Sequence, residues 1–237
     1  MLTAHPSRAS PMTVPSPDPA TLAPGRFIQS DDAEIIAFAT RAANAATTPR
    51  ATALALYYAV RDEVIYDPYV RFKAPATYSA RDVLALGRGF CIPKAALLTA
   101  CCRALGLPAR MAFADVRNHL ATPKLIDKNG SDVFRWHACS EIWLDGAWIK
   151  ATPAFNRSLC EKFGVQPLDW DGHTDSVFHP FDLHDRRHME YVLQRGSYAD
   201  VPFEDITACY RQHCPKLMVD DPWDTGADFA AEAVAGA

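Results

Sequence analysis

The sequence predicts a single α+β domain in which a central helix carrying a cysteine packs on an antiparallel β-sheet carrying a histidine. Three observations lead to this fold class. The segment "CIPKAALLTACCRAL", which starts at Cys91, is almost entirely apolar and has the length of a buried helix. Strand-like segments follow it, and two of them are joined by Asp145-Gly146, a dipeptide that favours a hairpin turn. Amphipathic helical segments precede it.

The chain of 237 residues is long enough for one sizeable core, because 49% of its residues are hydrophobic and 22% are charged. We assign this domain to residues 25–218. Residues 1–24 contain six of the 18 prolines together with Ser, Thr and Ala, so we predict a disordered or loosely docked tail there. Residues 219–237 are predicted to form a partly ordered C-terminal tail.

The composition excludes several classes of function. The net charge of -4 and a pI near 6.0, without any basic block, argue against nucleic-acid binding. The seven cysteines include the vicinal pair Cys101 and Cys102 but no CxxC motif, which fits neither a disulfide framework nor a zinc ribbon. No apolar stretch reaches membrane-spanning length, and the N-terminus lacks the apolar core of a secretory signal. We therefore expect a soluble, cytoplasmic protein, and we make no prediction of its oligomeric state.

Three helices are predicted ahead of Cys91. The segments "DDAEIIAFATRAANAA" and "TPRATALALYYAVRDEVIY" space their apolar residues at helical intervals, and Thr48-Pro49 is a favourable helix start. The shorter segment "SARDVLAL" begins at Ser79, a suitable N-cap, and ends at Gly87. The central helix follows directly, so its first residue is expected to be held rigidly.

Cys91 lies at the predicted N-terminus of the central helix, with Pro93 in the first turn. Unsatisfied backbone N–H groups and the helix dipole both lower the pKa of a thiol at such a position, and Gly89 leaves room for a substrate to approach. Cys101 and Cys102 lie deeper in the helix and are expected to be small core residues. From its position alone, Cys91 is either a buried structural thiol or a nucleophile.

The predicted hairpin brings polar residues near a histidine. "ARMAFADV" reads as one strand and "DVFRWHACSEIWLDGAWIKATPAFN" as two more, joined at Asp145-Gly146. The register of a two-residue turn places His137 opposite Ala154, with Thr152 and Asn156 as diagonal neighbours on the same face. Either polar side chain could bond the imidazole and fix its tautomer. A thiol, a histidine and an orienting polar group together suit nucleophilic acyl transfer.

Two segments in this order resemble a known family. "SARDVLALGRGFCIPKAALLTACCRALGLPARMAF", followed by "WHACSEIWLDGAWIKATPAFN", is similar to the core of the transglutaminase-like superfamily of papain-fold cysteine enzymes, in its bacterial-type single-domain form. The resemblance implies that Cys91 is the nucleophile and His137 the base. The aspartate that orients the histidine in that family would fall immediately before Pro153, where this chain has Thr152. Cys139 replaces the usual aromatic residue two positions after the histidine.

The threonine bears directly on the expected activity. A carboxylate next to an imidazole favours the imidazolium and hence a Cys–His ion pair, whereas a neutral hydroxyl orients the ring without supplying charge. We therefore include Thr152 in the predicted catalytic set, with a weaker effect than an aspartate would have. Asn156 is the alternative orienting residue, although Pro153 is expected to end the strand before Asn156 comes into register.

The function predicted from these residues is acyl transfer or hydrolysis at an amide or peptide carbonyl, through a thioester on Cys91. The expected partner is a peptide or protein amide, and no nucleic acid or membrane. We predict no cofactor and no metal, because the sequence has no glycine-rich phosphate loop and no calcium-binding loop like that of large animal transglutaminases. The alternative is a binding or scaffold module that keeps the fold with weakened or lost catalysis.

The segment "FHPFDLHDRRHMEYV" leaves a third possibility open. It contains His179, His184 and His188 together with two aspartates, and a helical spacing of His184 and His188 would suit zinc. Pro180 interrupts the segment and no glutamate stands at the metalloprotease position, so a solvated helix start is the preferred interpretation. We predict a helix at about residues 186–195 and another in "FEDITACYRQHCP".

Overall fold

The computed structural model describes residues 16–119, 121–178, 188–219 and 229–235. The fold class predicted from the sequence is confirmed: the architecture is α+β, and a central helix packs on a four-stranded antiparallel sheet. The helices are α1 (Ala33–Ala42), α2 (Pro49–Glu63), α3 (Ala80–Leu86), α4 (Cys91–Ala104), α5 (Pro123–Asn129), α6 (Arg157–Phe163), α7 (Phe203–His213) and α8 (Phe229–Ala235). The strands are β1 (Ile65–Tyr66), β2 (Arg88–Gly89), β3 (Ala109–Asn118), β4 (Val133–Leu144), β5 (Ala147–Ala151) and β6 (Met189–Tyr198).

The three helices that precede the central one begin at side-chain caps. The Asp32 carboxylate accepts from backbone N–H groups in the first turn of α1, and the Thr48 hydroxyl does the same for α2, whose first residue is a proline. Ser79 caps α3 as the sequence predicts, and Gly87, with a φ of 65°, ends that helix in the left-handed conformation. The chain then pairs β2 in parallel with β1 and enters α4.

Helix α4 is the centre of the core. Every residue from Ile92 to Arg103 is buried, so the helix has no polar face and must be covered on all sides. Strands β3 and β4 cover one side, and α1, α2 and α3 cover the others. The prediction of an all-round apolar central helix is therefore confirmed.

Two buried basic side chains fix the ends of α4. In the first turn, Lys94 is fully buried, and its amino group, whose pKa burial lowers to about 7, donates to the carbonyl groups of Arg61 (2.9 Å) and Val64 at the C-terminal end of α2. In the last turn, the guanidinium of Arg103 donates to three backbone carbonyl groups. They belong to Ala23 (2.6 Å), Ala109 (2.9 Å) and Ala199 (2.5 Å). These bonds satisfy carbonyl groups that would otherwise be buried without donors.

The sheet has the strand order β5-β4-β3-β6. The hairpin register predicted from Asp145-Gly146 is confirmed from Leu144↔Ala147 to Ser140↔Ala151. The pairing stops there because β5 ends at Ala151, so His137 has no partner on β5. The expected placement of His137 opposite Ala154 is therefore wrong, and Pro153 accounts for the early end, since it cannot donate to the ladder.

The prediction of a helix at about residues 186–195 is also wrong over its described part. Residues Met189–Tyr198 form β6, which pairs antiparallel with β3. Most of its side chains are exposed or half-buried, so the strand lacks the alternating apolar pattern that would identify it. Pairing with the free edge of β3 satisfies backbone groups that a helix would leave open on the sheet. The helix predicted in "FEDITACYRQHCP" is confirmed as α7.

The two predicted tails are described in part. Residues 1–15 lie outside the described residues, but Pro19–Thr21 form a short 3₁₀ turn capped by Asp18, and Thr21 is buried. Near the other end, Phe229–Ala235 form α8, which packs against α6. Among the described helices, none is long and apolar enough to cross a membrane.

Replacing Lys94 with Met keeps most of the apolar stem but removes the donor to Arg61 and Val64. A buried polar group left without its partner costs about 1–3 kcal/mol, so we expect Lys94→Met to lower the free energy of unfolding by about 2 kcal/mol in urea denaturation. Lys162→Met, at an exposed lysine of α6, is the matched control and should change it by less than about 0.5 kcal/mol. Equal stability of the two variants would contradict a structural role for the amino group.

Candidate active site

Cys91 is the first residue of α4, and the packing around Gly89 determines how the chain approaches it. A Cβ atom on Gly89 would lie 2.6 Å from Cγ2 of Val83 and 3.1 Å from Cγ of Pro93. The glycine therefore gives room to these two side chains, and not to a substrate as the sequence suggested. Cys91 itself is half-buried and contacts both apolar clusters of the molecule.

His137 lies on β4, opposite Ala114 of β3, and is 7% exposed. Aromatic rings surround it: the ring centroids of His137 and Phe178 are 4.9 Å apart, and those of His137 and Tyr191 are 6.4 Å apart. The structure brings Cys91 and His137 to the wall of one cleft, which encloses about 810 Å³ including its open mouth. That these two residues act as a pair stays a prediction.

Burial sets the protonation states of this pair. It raises the pKa of the Cys91 thiol to about 11, although the backbone N–H groups of Ala138, Ile92 and Cys91 itself favour the thiolate. Burial also lowers the pKa of His137 to about 4. At neutral pH the site therefore holds a neutral thiol and a neutral imidazole. The helix N-terminus favours the thiolate as the sequence predicts, but desolvation outweighs it, so the pKa of the Cys91 thiol is raised and the expected net lowering is not found.

Thr152 is turned away from His137. Its hydroxyl donates to the carbonyl of Ser176 at 2.6 Å and lies beside the Cys139 thiol, while its own carbonyl accepts from the hydroxyl of Tyr57 at 3.1 Å. These contacts tie the end of β5 to α2 and to the segment around residue 176. The Thr152 hydroxyl is therefore bonded to Ser176, and the predicted hydrogen bond to the imidazole is not formed.

Asn156 does not reach His137 either. It is the N-cap residue of α6; its side-chain oxygen accepts from the backbone N–H of Tyr66 at 3.0 Å, and its amide nitrogen donates to the hydroxyl of Ser158 at 2.8 Å. Within the described residues, the Nε2 atom of His137 is buried without a hydrogen-bond partner. The imidazole is held in the cleft by packing between aromatic rings. Neither Thr152 nor Asn156 makes a polar contact with it.

A β-bulge immediately before His137 is a feature that sequence reasoning missed. Ala114 pairs with His137, but Val116 pairs with Phe134, so Asp115 of β3 stands opposite two residues of β4. One of these is Trp136, whose φ of 59° lies in the left-handed region that non-glycine residues rarely adopt. The bulge turns the Trp136 ring into the main core and leaves His137 facing the cleft.

An ion pair holds this strained backbone in place. The Asp115 carboxylate accepts from the backbone N–H of Trp136 at 3.0 Å and from the Arg195 guanidinium of β6 at 2.5 and 2.8 Å. The Arg195 guanidinium also lies over the indole ring of Trp136, 4.7 Å from its centroid. An aspartate inside the otherwise apolar "MAFADV" is the sequence signal that could have indicated this contact.

Most of the histidine cluster considered as a metal site lies outside the described residues, namely His179, His184 and their neighbouring aspartates. His188 is described and buried, and its ring packs against that of Phe178, with centroids 6.1 Å apart. Over the described ranges, no group of three His, Cys, Asp or Glu side chains could hold a metal ion.

The pKa of His137 predicts a loss of stability in acid. Below the ordinary pKa of 6.5, the unfolded chain binds a proton at this residue, whereas the folded protein does not until about pH 4. Between pH 7 and pH 5 this difference should cost about 2 kcal/mol. Urea denaturation should therefore show a smaller acid-induced loss in His137→Gln, while His173→Gln, at an exposed position, should behave as the wild type. Parallel pH profiles for the wild type and His137→Gln would contradict a depressed pKa.

The bulge predicts a second effect. Asp115→Ala removes the acceptor for Trp136 and the partner of Arg195, so we expect the free energy of unfolding to fall by about 3 kcal/mol. Asp132→Ala, which breaks the exposed ion pair with Arg117, is the control and should cost less than about 1 kcal/mol. The imidazole NMR signals of His137 should shift in the Asp115 variant alone. If they do not, the bulge does not position the histidine.

Two comparisons with known proteins find similar sequences or structures. The family model "Transglutaminase-like superfamily" matches residues 36–153, which include both Cys91 and His137. A search of curated proteins finds no match. Among solved structures, a candidate cysteine protease from Cytophaga hutchinsonii is similar, with 21% sequence identity and a TM-score of 0.47. The similarity covers 76% of this chain and 46% of that one, so the chain spans less than half of that protein's length. Through residues 36–153, this chain belongs to the transglutaminase-like superfamily.

Proposed function

We propose that this protein catalyses cysteine-dependent acyl transfer or hydrolysis at an amide carbonyl, with Cys91 as the nucleophile and His137 as the general acid and base. The observation that carries this proposal is that a thiol at the start of a buried helix and a histidine on the neighbouring strand line one cleft. The geometry suits a substrate carbonyl that lies between the two side chains. The superfamily match supports a cysteine-dependent peptidase or acyltransferase class.

The protonation states determine how the first step proceeds. Because thiol and imidazole are both neutral at rest, the Cys91 proton passes to His137 as the sulfur attacks the carbonyl carbon. The carbon–nitrogen bond then breaks, and the same proton moves from His137 to the departing amine. A thioester remains on Cys91, and water or a second amine releases the acyl group.

Backbone N–H groups near the thiol supply the electrostatic stabilisation. Those of Cys91, Ile92 and Ala138 already lower the pKa of the Cys91 thiol, and they favour negative charge at this point of the cleft. An oxyanion that forms next to the sulfur would accept hydrogen bonds from backbone N–H groups. We assign the N–H groups of Cys91 and Ala138 to this role, since they belong to the two elements that carry the catalytic pair.

A binding or scaffold module is the second candidate. Its support is the lack of a polar partner on Nε2 of His137 within the described residues, together with the engagement of Thr152 by Ser176. Without an orienting carboxylate the imidazole is a weaker base. Slow turnover that depends on Cys91 distinguishes the enzyme from a module that has lost catalysis.

Hydrolysis of N-acetyl-phenylalanine p-nitroanilide tests the proposal. We expect slow turnover that depends on Cys91, with kcat/KM nearly constant from pH 6 to pH 9, because the reacting pair of neutral thiol and neutral imidazole is populated between pKa values of about 4 and about 11. Mass spectrometry of acid-quenched samples should show an acyl group on Cys91.

Cys91→Ala should abolish turnover, and Cys139→Ala, at another half-buried thiol of the site region, is the matched control and should keep it. Turnover that survives in Cys91→Ala, or no acyl-enzyme and no turnover at any pH, would support the binding module instead.

A further inference from the structure

The cleft that holds Cys91 and His137 is mostly apolar, and Arg135 places a cationic side chain on its wall. Its wall consists mainly of aromatic and aliphatic residues, among them Tyr66, Phe72, Phe134, Phe155, Phe178 and Met189. Among the described residues that line it, Arg135 is the only lysine, arginine, aspartate or glutamate. An apolar pocket with few polar groups fixes the orientation of its ligand through those groups.

Arg135 differs from the other arginines of the same sheet. Arg110 pairs with a carboxylate at 2.6 Å, Arg117 at 3.1 Å and Arg195 at 2.5 Å. In contrast, the Arg135 guanidinium has only the Cys214 sulfur, at 4.0 Å, and no carboxylate in the described part of the chain. It is nevertheless half-buried. A cation withdrawn from water without an anionic partner is costly, and a bound anion would remove that cost.

The β-bulge determines where this cation lies relative to the reaction. Arg135 and Trp136 are the two residues opposite Asp115, and His137 follows them directly. Arg135 is two residues before His137 on β4, and both side chains line the cleft, so the guanidinium and the imidazole face the same bound substrate. His137 protonates the departing amine in the proposed mechanism. Arg135 is therefore on the side of the leaving group.

We propose that Arg135 binds the α-carboxylate of the leaving amino acid, so that the substrate is an acylated amino acid or a peptide with a free C-terminal carboxylate and an apolar last residue. This inference rests on the proposed function and specifies its substrate. The α-carboxylate is separated from the scissile nitrogen by a single carbon, which matches the closeness of Arg135 to His137 along β4. An arginine binds a carboxylate through two parallel N–H donors.

The reaction balances without another reagent. The Cys91 sulfur forms a bond to the acyl carbon, the carbon–nitrogen bond breaks, and the thiol proton reaches the nitrogen through His137. The free amino acid, whose carboxylate was bound to Arg135, then leaves the cleft. Water then cleaves the thioester and restores the thiol.

Two matched peptides test this inference: N-acetyl-phenylalanyl-leucine and its C-terminal amide, which differ only in the carboxylate. We expect the wild type to cleave the acid about tenfold faster in kcat/KM, because a charge-assisted hydrogen bond is lost in the amide. Arg135→Gln should bring the ratio of the two rates close to one, and Arg135→Lys should keep part of the preference. Arg41→Gln removes the same charge from an exposed ion pair on α1 and should leave the preference unchanged.

The failure of this inference differs from the failure of the proposed function. If the wild type cleaves both peptides at the same rate, Arg135 does not bind the carboxylate, although the cysteine mechanism stands. If neither peptide is cleaved, the labelling of Cys91 by N-chloroacetyl-leucine and by its amide decides the question. Faster labelling by the acid that disappears in Arg135→Gln supports the subsite, and equal labelling overturns it. Circular dichroism of each variant confirms that it is folded.

Discussion

The hydrogen bonds of the buried Lys94 amino group are the interaction on which the rest of the structure depends. They join the first turn of α4 to the carbonyl groups at the end of α2, in the middle of a mostly apolar core. Helix α4 in turn contacts α1, α2, α3 and the sheet, so fixing α4 also fixes the elements packed on it. Cys91 is three residues before Lys94 on the same helix, so its position is fixed as well. In the proposed mechanism, Cys91 therefore needs no conformational adjustment before attack.

Burial also explains the electrostatics of the site. The same packing that fixes Cys91 and His137 removes water from them, and this raises one pKa while it lowers the other. Backbone N–H groups at the helix start act in the opposite direction but are outweighed. In the proposed mechanism, proton transfer from Cys91 to His137 therefore accompanies bond formation, whereas a resting ion pair would require a nearby carboxylate. Thr152 cannot supply that charge, and its hydroxyl serves the packing of the segment around Ser176.

Much of the fold follows from local signals in the sequence. The apolar run after Cys91, the cap at Ser79 and the turn at Asp145-Gly146 each act over a few residues, and each predicts its element correctly. The missed features depend on distant partners. Strand β6 forms because it pairs with the edge of β3. The bulge at Trp136 is stabilised by the Asp115 carboxylate, which in turn pairs with Arg195. Likewise, Thr152 and Asn156 form hydrogen bonds with segments that are distant in sequence, and no local sequence pattern indicates these contacts.

The packing of Gly89 has a consequence for how such sequences can change. Val83 and Pro93 fill the space that a side chain at position 89 would need, so these three positions form one volume constraint. An alanine at position 89 is compatible with the chain only if position 83 becomes smaller or the proline shifts the first turn of α4. Related sequences should therefore vary at these positions together, and a substitution at 83 would reach Cys91 through the backbone without touching the cleft.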